Sequence, residues 1–300
     1  MVQKRTRQVD LTGEAEQDVK SVDLGKFHPG NKLNDLTGRQ WIKATKSWFI
    51  LNPSPRSEDA VLHPAKYPEE LVKEFVLFFT KQGQNVVDPF LGTGSTLVAC
   101  NETLRHGFGV ELIPKWAEIA IDRTRLRRVD APHEMLQSVI VGDSRDIDKI
   151  AHSHGWPPMH FCMTSPPYAN ILRTSRGGVE SVQKQRAKRG LATHYSEDRR
   201  DLGNLDDVDS YLQALVEVFE KTKRLMVPKS YVTVVLQNVR TEEGEMEPLA
   251  WEFAMRMKSA YSLKQERIWC QDNKPLGIWG YPTEYVANVH HHYCLIFQRP

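Results

Sequence analysis

Three acidic residues stand where short apolar strands should end. Asp88 closes Asn85-Val-Val-Asp88, and Glu111 closes Gly107-Phe-Gly-Val-Glu111. Asp143 follows Ser138-Val-Ile-Val141 in the turn Gly142-Asp143-Ser144. Acids at the C-terminal ends of successive parallel strands line the crevice in which doubly wound sheets bind ligands. After the first strand comes Asp88-Pro89-Phe90-Leu-Gly92-Thr93-Gly94-Ser-Thr96. Its two glycines permit a tight turn and close backbone approach in front of a helix N-terminus. Leu97 stands where a GxGxxG loop has its third glycine, and no Gly-Lys-Ser/Thr follows, so neither familiar phosphate loop is present. Carboxylates suit hydroxyls and amines instead: Glu111 the hydroxyls of a ribose, Asp143 an exocyclic adenine amine, Asp88 a cationic amino group. A ligand with ribose, adenine and an ammonium, and no phosphate, describes S-adenosylmethionine. One such acid would mean no more than a helix or turn cap; three at consecutive strand ends favour a nucleoside site.

A second stretch, Phe161-Cys-Met-Thr164-Ser165-Pro166-Pro167-Tyr168, ends a strand on two prolines. Prolines neither donate to a sheet ladder nor continue into a helix, so this is a rigid stub that holds up an aromatic ring. Taken alone it reads as a turn.

The elements that must carry these residues alternate. Strands are expected at 85–88, 107–111, 138–141 and 160–164, with helices at 95–105 and 114–126 between them. The second of these helices has proline near its first turn and arginines near its last, as helix ends prefer. Further on, Tyr211, Leu212, Leu215, Val216, Val218, Phe219 and Leu225 give residues 208–226 a helical apolar stripe. Residues 231–236 are continuously apolar and β-branched, as in a strand buried on both faces. A helix at 249–260 and two closing strands at 263–270 and 292–297 complete a parallel sheet covered on both sides. Residues 1–35 lack apolar periodicity, and 1–40 are expected to form a loosely ordered tail, leaving 41–300 as a single domain.

Composition bounds this reading. With 40% apolar and 26% charged residues the chain is an ordinary globular one, and no apolar run approaches the roughly 20 residues of a membrane span. Basic residues near the N-terminus have no apolar core behind them, so no secretory signal is expected. Four widely spaced cysteines without a CxxC pair fit a reducing cytoplasm. A net charge of only +2 means that nucleic-acid binding has to be argued locally, and residues 171–200 carry eight Lys or Arg against three acids. As a bare charge run this is a solvated loop.

Together, DPFLGTGST and TSPPY resemble the DNA amino-methyltransferases, whose cofactor motif has the form DPFxGxGT and whose catalytic motif is [DNS]PP[YFW]. The resemblance runs from about Trp41 to Pro300, with the cofactor motif first, which is one of the family's two circular arrangements. It implies a doubly wound, mostly parallel, seven-stranded Rossmann-like methyltransferase sheet with an antiparallel last strand. It also implies S-adenosyl-L-methionine as cofactor, held by the DPFLGTGST loop, Glu111, Asp143, Ser144 and Thr164. His63, Lys66 and Pro68 match the family's segment that helps bind the methionine end. In this reading Ser165 Oγ and the Pro166 carbonyl accept from the target amine, Pro167 keeps that carbonyl rigid, and Tyr168 stacks on a base extruded from the duplex. Methyl then passes directly from sulfur to nitrogen.

Ser165 in the first motif position tips the target toward cytosine N4, with adenine N6 as runner-up. A carbon-5 cytosine enzyme would need a nucleophilic cysteine after proline, and the chain has no Pro-Cys. RNA or protein amino-methylation is a more distant alternative, because those enzymes commonly carry Asn or Asp before the prolines. The partner implied is double-stranded DNA in the cytoplasm of a prokaryotic or phage-infected cell, with a cognate restriction endonuclease left open. Behind the catalytic motif, the basic insertion 171–205 is expected to meet DNA through Arg173, Arg176, Lys184, Arg186, Lys188 and Arg189. Residues 269–282 form a second candidate recognition loop, with core packing of its aromatics as the plainer reading. His290, His291 and His292 alternate along a strand and make a poor tetrahedral set, so no metal is expected.

Overall fold

The computed structural model describes residues 25–52, 67–126, 135–168, 196–205, 207–240, 245–274, 276–278 and 280–300. Its strands are β1 (Trp48–Ile50), β2 (Asn85–Asp88), β3 (His106–Glu111), β4 (Gln137–Val141), β5 (Met159–Thr164), β6 (Met226–Leu236), β7 (Val239–Arg240), β8 (Met246–Glu247), β9 (Ser262–Cys270) and β10 (His291–Gln298). The helices are α1 (Gly38–Ala44), α2 (Glu69–Phe79), α3 (Ser95–Glu102), α4 (Pro114–Leu126), α5 (Ile147–Ser153), α6 (Val208–Leu225) and α7 (Leu249–Met257).

Eight strands form one sheet in the order β1-β9-β10-β6-β5-β2-β3-β4, and β7 and β8 make a separate small hairpin. From β4 through β6 all neighbours are parallel; β10 runs antiparallel to both β6 and β9. The central strands are short and apolar because both faces are covered: Val86, Val87, Phe161, Cys162, Val232 and Val234 are all 0% exposed. On one face lie α6 and α7. Asp207 caps α6 by accepting from Ser210 N–H (2.7 Å), and the stripe Tyr211, Leu212, Leu215, Val218 and Phe219 is buried. On the other face α2 buries Leu71, Val72, Phe75, Val76 and Phe79, and the acids Glu69 and Glu70 occupy its first turn, where the helix dipole favours them.

The sheet has one strand more than the seven expected. β1 adds itself in parallel to β9, with Trp48 opposite Ile268 and Ile50 opposite Cys270. Arg267 secures it: the side chain donates to the Lys46 carbonyl (2.9 Å), and the guanidinium lies over Phe49 (4.4 Å) and Phe75 (5.2 Å). A three-residue strand is too short to leave a period in the sequence.

The segment just before residue 41 is also firmly attached, in contrast to the loose tail expected there. Asn34 is 2% exposed and its amide donates to the Phe78 carbonyl at the end of α2 (2.6 Å). Thr37 and Gln40 form a capping box at the start of α1. These are polar side-chain devices, which an apolar period does not reveal.

Candidate functional site

β2, β3, β4, β5 and β6 run parallel, so their C-terminal ends share one edge of the sheet. There the chain leaves β2 toward β3 on one side while β5 lies on the other, which opens a crevice. A cleft of about 820 Å³, the open solvent at its mouth included, occupies it, lined by Pro89, Phe90, Gly92, Thr93, Glu111, Asp143, Ser144, Ser165 and Pro167 among others. Part of the expected donor side and two residues of the stub, Ser165 and Pro167, thus border one cavity, while Pro166 and Tyr168 are not in its lining.

Glu111 shapes the cleft as well as lining it. Its Oε2 accepts from Gly92 N–H (2.8 Å) and its Oε1 from Ile113 N–H (2.9 Å), so one carboxylate holds both turns at the mouth. Burial pushes its pKa up to about 7 against the pull of those two N–H groups, with Asp201 and Asp88 adding repulsion. Asp143 accepts from the backbone N–H of Arg145 (2.9 Å) and from the Arg145 guanidinium at 2.6 Å. The Ser144 hydroxyl donates to the Pro89 carbonyl and ties the β4 turn to the loop after β2.

Asp88 has a different place from the one expected. It is 0% exposed and lies behind the cleft wall, outside the lining. Its Oδ2 accepts from Tyr67 Oη (2.8 Å) and Thr96 Oγ1 (2.5 Å), its Oδ1 from Thr164 Oγ1 (2.5 Å) and Phe90 N–H (3.0 Å). Burial raises its pKa, and those four donors oppose the rise. Thr96 and Thr164 are therefore partners of Asp88 and do not line the cleft. Gly94 is also withdrawn from the lining. At φ +83°, a Cβ there would sit 2.8 Å from Ala120 Cβ, so this glycine lets α4 pack against the loop. Pro68 is buried as the N-cap residue of α2.

On the acceptor side, the Ser165 hydroxyl donates to the Val235 carbonyl (3.2 Å), which leaves its oxygen lone pairs free to accept. Tyr211 Oη donates to the Pro167 carbonyl (2.6 Å), anchoring the stub to α6. No described residue donates to the Pro166 carbonyl. Tyr168 is half-buried, with its ring packed against the α6 side of the core.

Several lining residues carry no motif. Tyr67 lies inside the stretch that holds His63 and Lys66, and its pairing with Asp88 is visible only in three dimensions. Ile113 and Trp116 follow Glu111 into α4, and Arg200, Asp201 and Leu202 arrive from a loop beyond the stub. His63, Lys66, Arg173, Arg176, Lys184, Arg186, Lys188 and Arg189 lie outside the described residues. In the second recognition stretch, Trp269 belongs to the core, 3% exposed and donating to the Leu51 carbonyl (2.8 Å), whereas Tyr281 is 81% exposed. His292 is stacked on Trp269 at 4.7 Å, and burial lowers its pKa to about 3. No helix among the described residues is long and apolar enough to cross a membrane.

Comparison with known proteins gives this cleft its context. The model of the N6/N4-type DNA methylase family matches residues 7–122. The type II methyltransferase M.BglII of Bacillus subtilis is 30% identical over 96 residues, 32% of this chain and 27% of that protein. M.Cfr9I of Citrobacter freundii, another type II methyltransferase, is 41% identical over 61 residues, 20% of each chain. The chain thus matches about a quarter of the length of these curated relatives. Among solved structures, a putative rRNA methylase from Clostridium thermocellum aligns over 79% of this chain and 99% of its own, with a TM-score of 0.46 and 15% identity. Over residues 7–122 the chain is thus similar to the N6/N4-type DNA methylase family, and its curated relatives are type II methyltransferases.

Proposed function

We propose that this protein transfers a methyl group from S-adenosylmethionine to the exocyclic N4 of cytosine in duplex DNA, acting on an extruded base. The observation that carries the reading is the single cleft bordered by the Gly92 loop, Glu111 and Asp143 on one side and by Ser165 and Pro167 on the other. Its chemistry suits the cofactor: Phe90, Ile113, Trp116 and Leu202 offer apolar surface to a flat ring, Asp143 and Ser144 polar partners for the ring's edge, and Glu111 acceptors for ribose hydroxyls.

When bound, S-adenosylmethionine supplies an activated methyl group on a sulfonium. The protein's part is to present the amine. Conjugation with the ring delocalises the amine lone pair, so acceptors on its protons favour the tetrahedral, nucleophilic form. Ser165 Oγ qualifies because its own proton is committed to Val235, and the Pro166 carbonyl qualifies because nothing described occupies it. Tyr211 holds the prolines in place through the Pro167 carbonyl. The ring of Tyr168 provides the stacking surface.

Nucleoside mass spectrometry of DNA from cells expressing the protein tests the reading. N4-methylcytosine should accumulate with the wild type and fall by about 10- to 100-fold with Tyr168→Ala, the loss expected for one base–aromatic stack. N6-methyladenine instead would select the adenine reading, and no methylated base in DNA would overturn both. The basic stretch gives a separate expectation. Reversing Lys184, Arg186, Lys188 and Arg189 should weaken DNA binding and flatten its logarithmic salt slope by about 3.6, at roughly 0.9 per phosphate contact. An unchanged slope in a filter-binding titration would remove these residues from the interface.

A further inference from the structure

Residues 196–204 bridge the two sides of the cleft. They form a compact loop: Ser196 Oγ donates to Asp201 (2.8 Å), Asp201 accepts from Gly203 N–H (2.9 Å), and Asp198 pairs with Arg200 at 2.7 Å. The Asn204 amide closes it by donating to the carbonyls of Ser196 (3.1 Å) and Asp198 (2.8 Å). One side of this loop presses on the acceptor stub. A Cβ on Gly203 would come within 2.9 Å of the Tyr168 carbonyl oxygen and 3.8 Å of Pro167 Cβ. The other side faces the cleft through Arg200, Asp201 and Leu202.

Arg145 fastens this loop to the far wall. Its Nε donates to both oxygens of Asp143 (3.0 and 3.1 Å), while its Nη2 reaches Asp143 Oδ2 (2.6 Å) and the Arg200 carbonyl (3.1 Å). Lys221 of α6 donates to the Arg145 carbonyl, so the backbone that carries the guanidinium is itself held. A planar fork shared between a carboxylate and a carbonyl fixes both acceptors relative to each other, which a lysine ammonium does less well.

We propose that Arg145 is a positioning residue that couples occupation of the cofactor cleft to seating of the target base. The inference rests on the methyltransferase reading above. A ligand amine that donates to Asp143 fixes the carboxylate against which Arg145 is held. Arg145 in turn fixes the Arg200 carbonyl, and the loop keeps Gly203 against the backbone of Pro167 and Tyr168. A base stacked on Tyr168 loads the same chain of contacts from the other end. Coupling of this kind is reciprocal, so each ligand must tighten the other by one common factor, ordinarily about 5- to 150-fold.

The test is a binding cycle with S-adenosylhomocysteine and a synthetic duplex carrying the methylation site mapped by sequencing DNA from expressing cells. In the wild type each ligand should tighten the other at least about fivefold. Arg145→Ala should bring the common factor below about twofold, with Arg145→Lys intermediate. Asp198→Ala, which releases Arg200 on the outer side of the loop and leaves Asp143 its partner, should lower the factor too; it serves also if Arg145→Ala fails to fold. Wild-type protein that binds both ligands independently, or a factor unchanged in Arg145→Ala and Asp198→Ala, overturns the coupling. Absence of any methylation site overturns the methyltransferase reading instead.

Discussion

Asp88→Ala is expected to destabilise the fold by about 3–5 kcal/mol, while Asp88→Asn should cost only about 1 kcal/mol. The difference follows from the donors. Four groups converge on this one carboxylate, from Tyr67, Phe90, Thr96 and Thr164. With alanine, Tyr67 and Thr96 retain each other, since their hydroxyl oxygens are 2.5 Å apart, but the Thr164 hydroxyl and the Phe90 N–H are left buried. Each unsatisfied buried donor costs about 1–3 kcal/mol, and the volume left by the side chain adds to this. Asparagine keeps an oxygen for Phe90 and Thr164, and its amide can donate to the two hydroxyl oxygens once those rotate. Differential scanning calorimetry should place alanine about 10 °C below wild type and asparagine within a few degrees, at about 2–4 °C per kcal/mol for a domain of this size. Equal melting temperatures for all three proteins would mean that Asp88 does not organise the wall.

Cofactor affinity should fall on acidification through neutrality, by up to about tenfold per pH unit below the Glu111 midpoint. Glu111 has a folded pKa of about 7, raised first by burial. Its protonated form is favoured in the folded protein relative to the unfolded chain, where it titrates near 4.5. The sign for stability follows: the contribution is fully present below about 4.5 and is lost as pH rises through about 7, on the order of 3 kcal/mol for such a shift. Ligand binding has the opposite sign. Ribose hydroxyls that donate to Glu111 favour the ionised form, so binding expels a proton below pH 7 and expels little above it. Calorimetry of S-adenosylhomocysteine binding at pH 6, in buffers of different ionisation enthalpy, should reveal release of nearly one proton, and at pH 8 almost none. Equal proton release at both values would show that Glu111 does not meet the ligand. Glu111→Gln should abolish the pH dependence and weaken binding, because an amide nitrogen would face the N–H of Gly92 or Ile113.

The parts of the site legible in the sequence were those written in contiguous residues. The Gly92 loop, Glu111 at the end of β3, Asp143 after β4 and Ser165 after β5 all announced themselves by following short apolar strands, and all line the cleft. Asp88 met the same criterion, yet lies behind the wall. What distinguishes it is three hydroxyls from Tyr67, Thr96 and Thr164, and no local spacing encodes that convergence. Leu202 and Asp201 reach the cleft only because their loop closes on itself and folds back. The fold divides in the same way: long periodic elements such as α6 were readable, whereas three-residue β1 and the polar anchors Asn34, Thr37 and Gln40 leave no periodic trace.

β1 also dictates an order of assembly. Within the sheet its neighbour is β9, about 220 residues further along the chain, and its one inward ring, Phe49, sits beneath Arg267 of that strand. Phe75 of α2 shares the same guanidinium. During synthesis, then, residues 48–50 are made about 220 residues before the strand they pair with. Until then the β9-facing side of α2 stays wet, so an intermediate that contains β2 through β6 carries an uncovered aromatic patch. Such a long loop closure is slow to form and is completed late. Chains interrupted before Ser262 lack Arg267 and should therefore be sticky in a way that the longer chain is not.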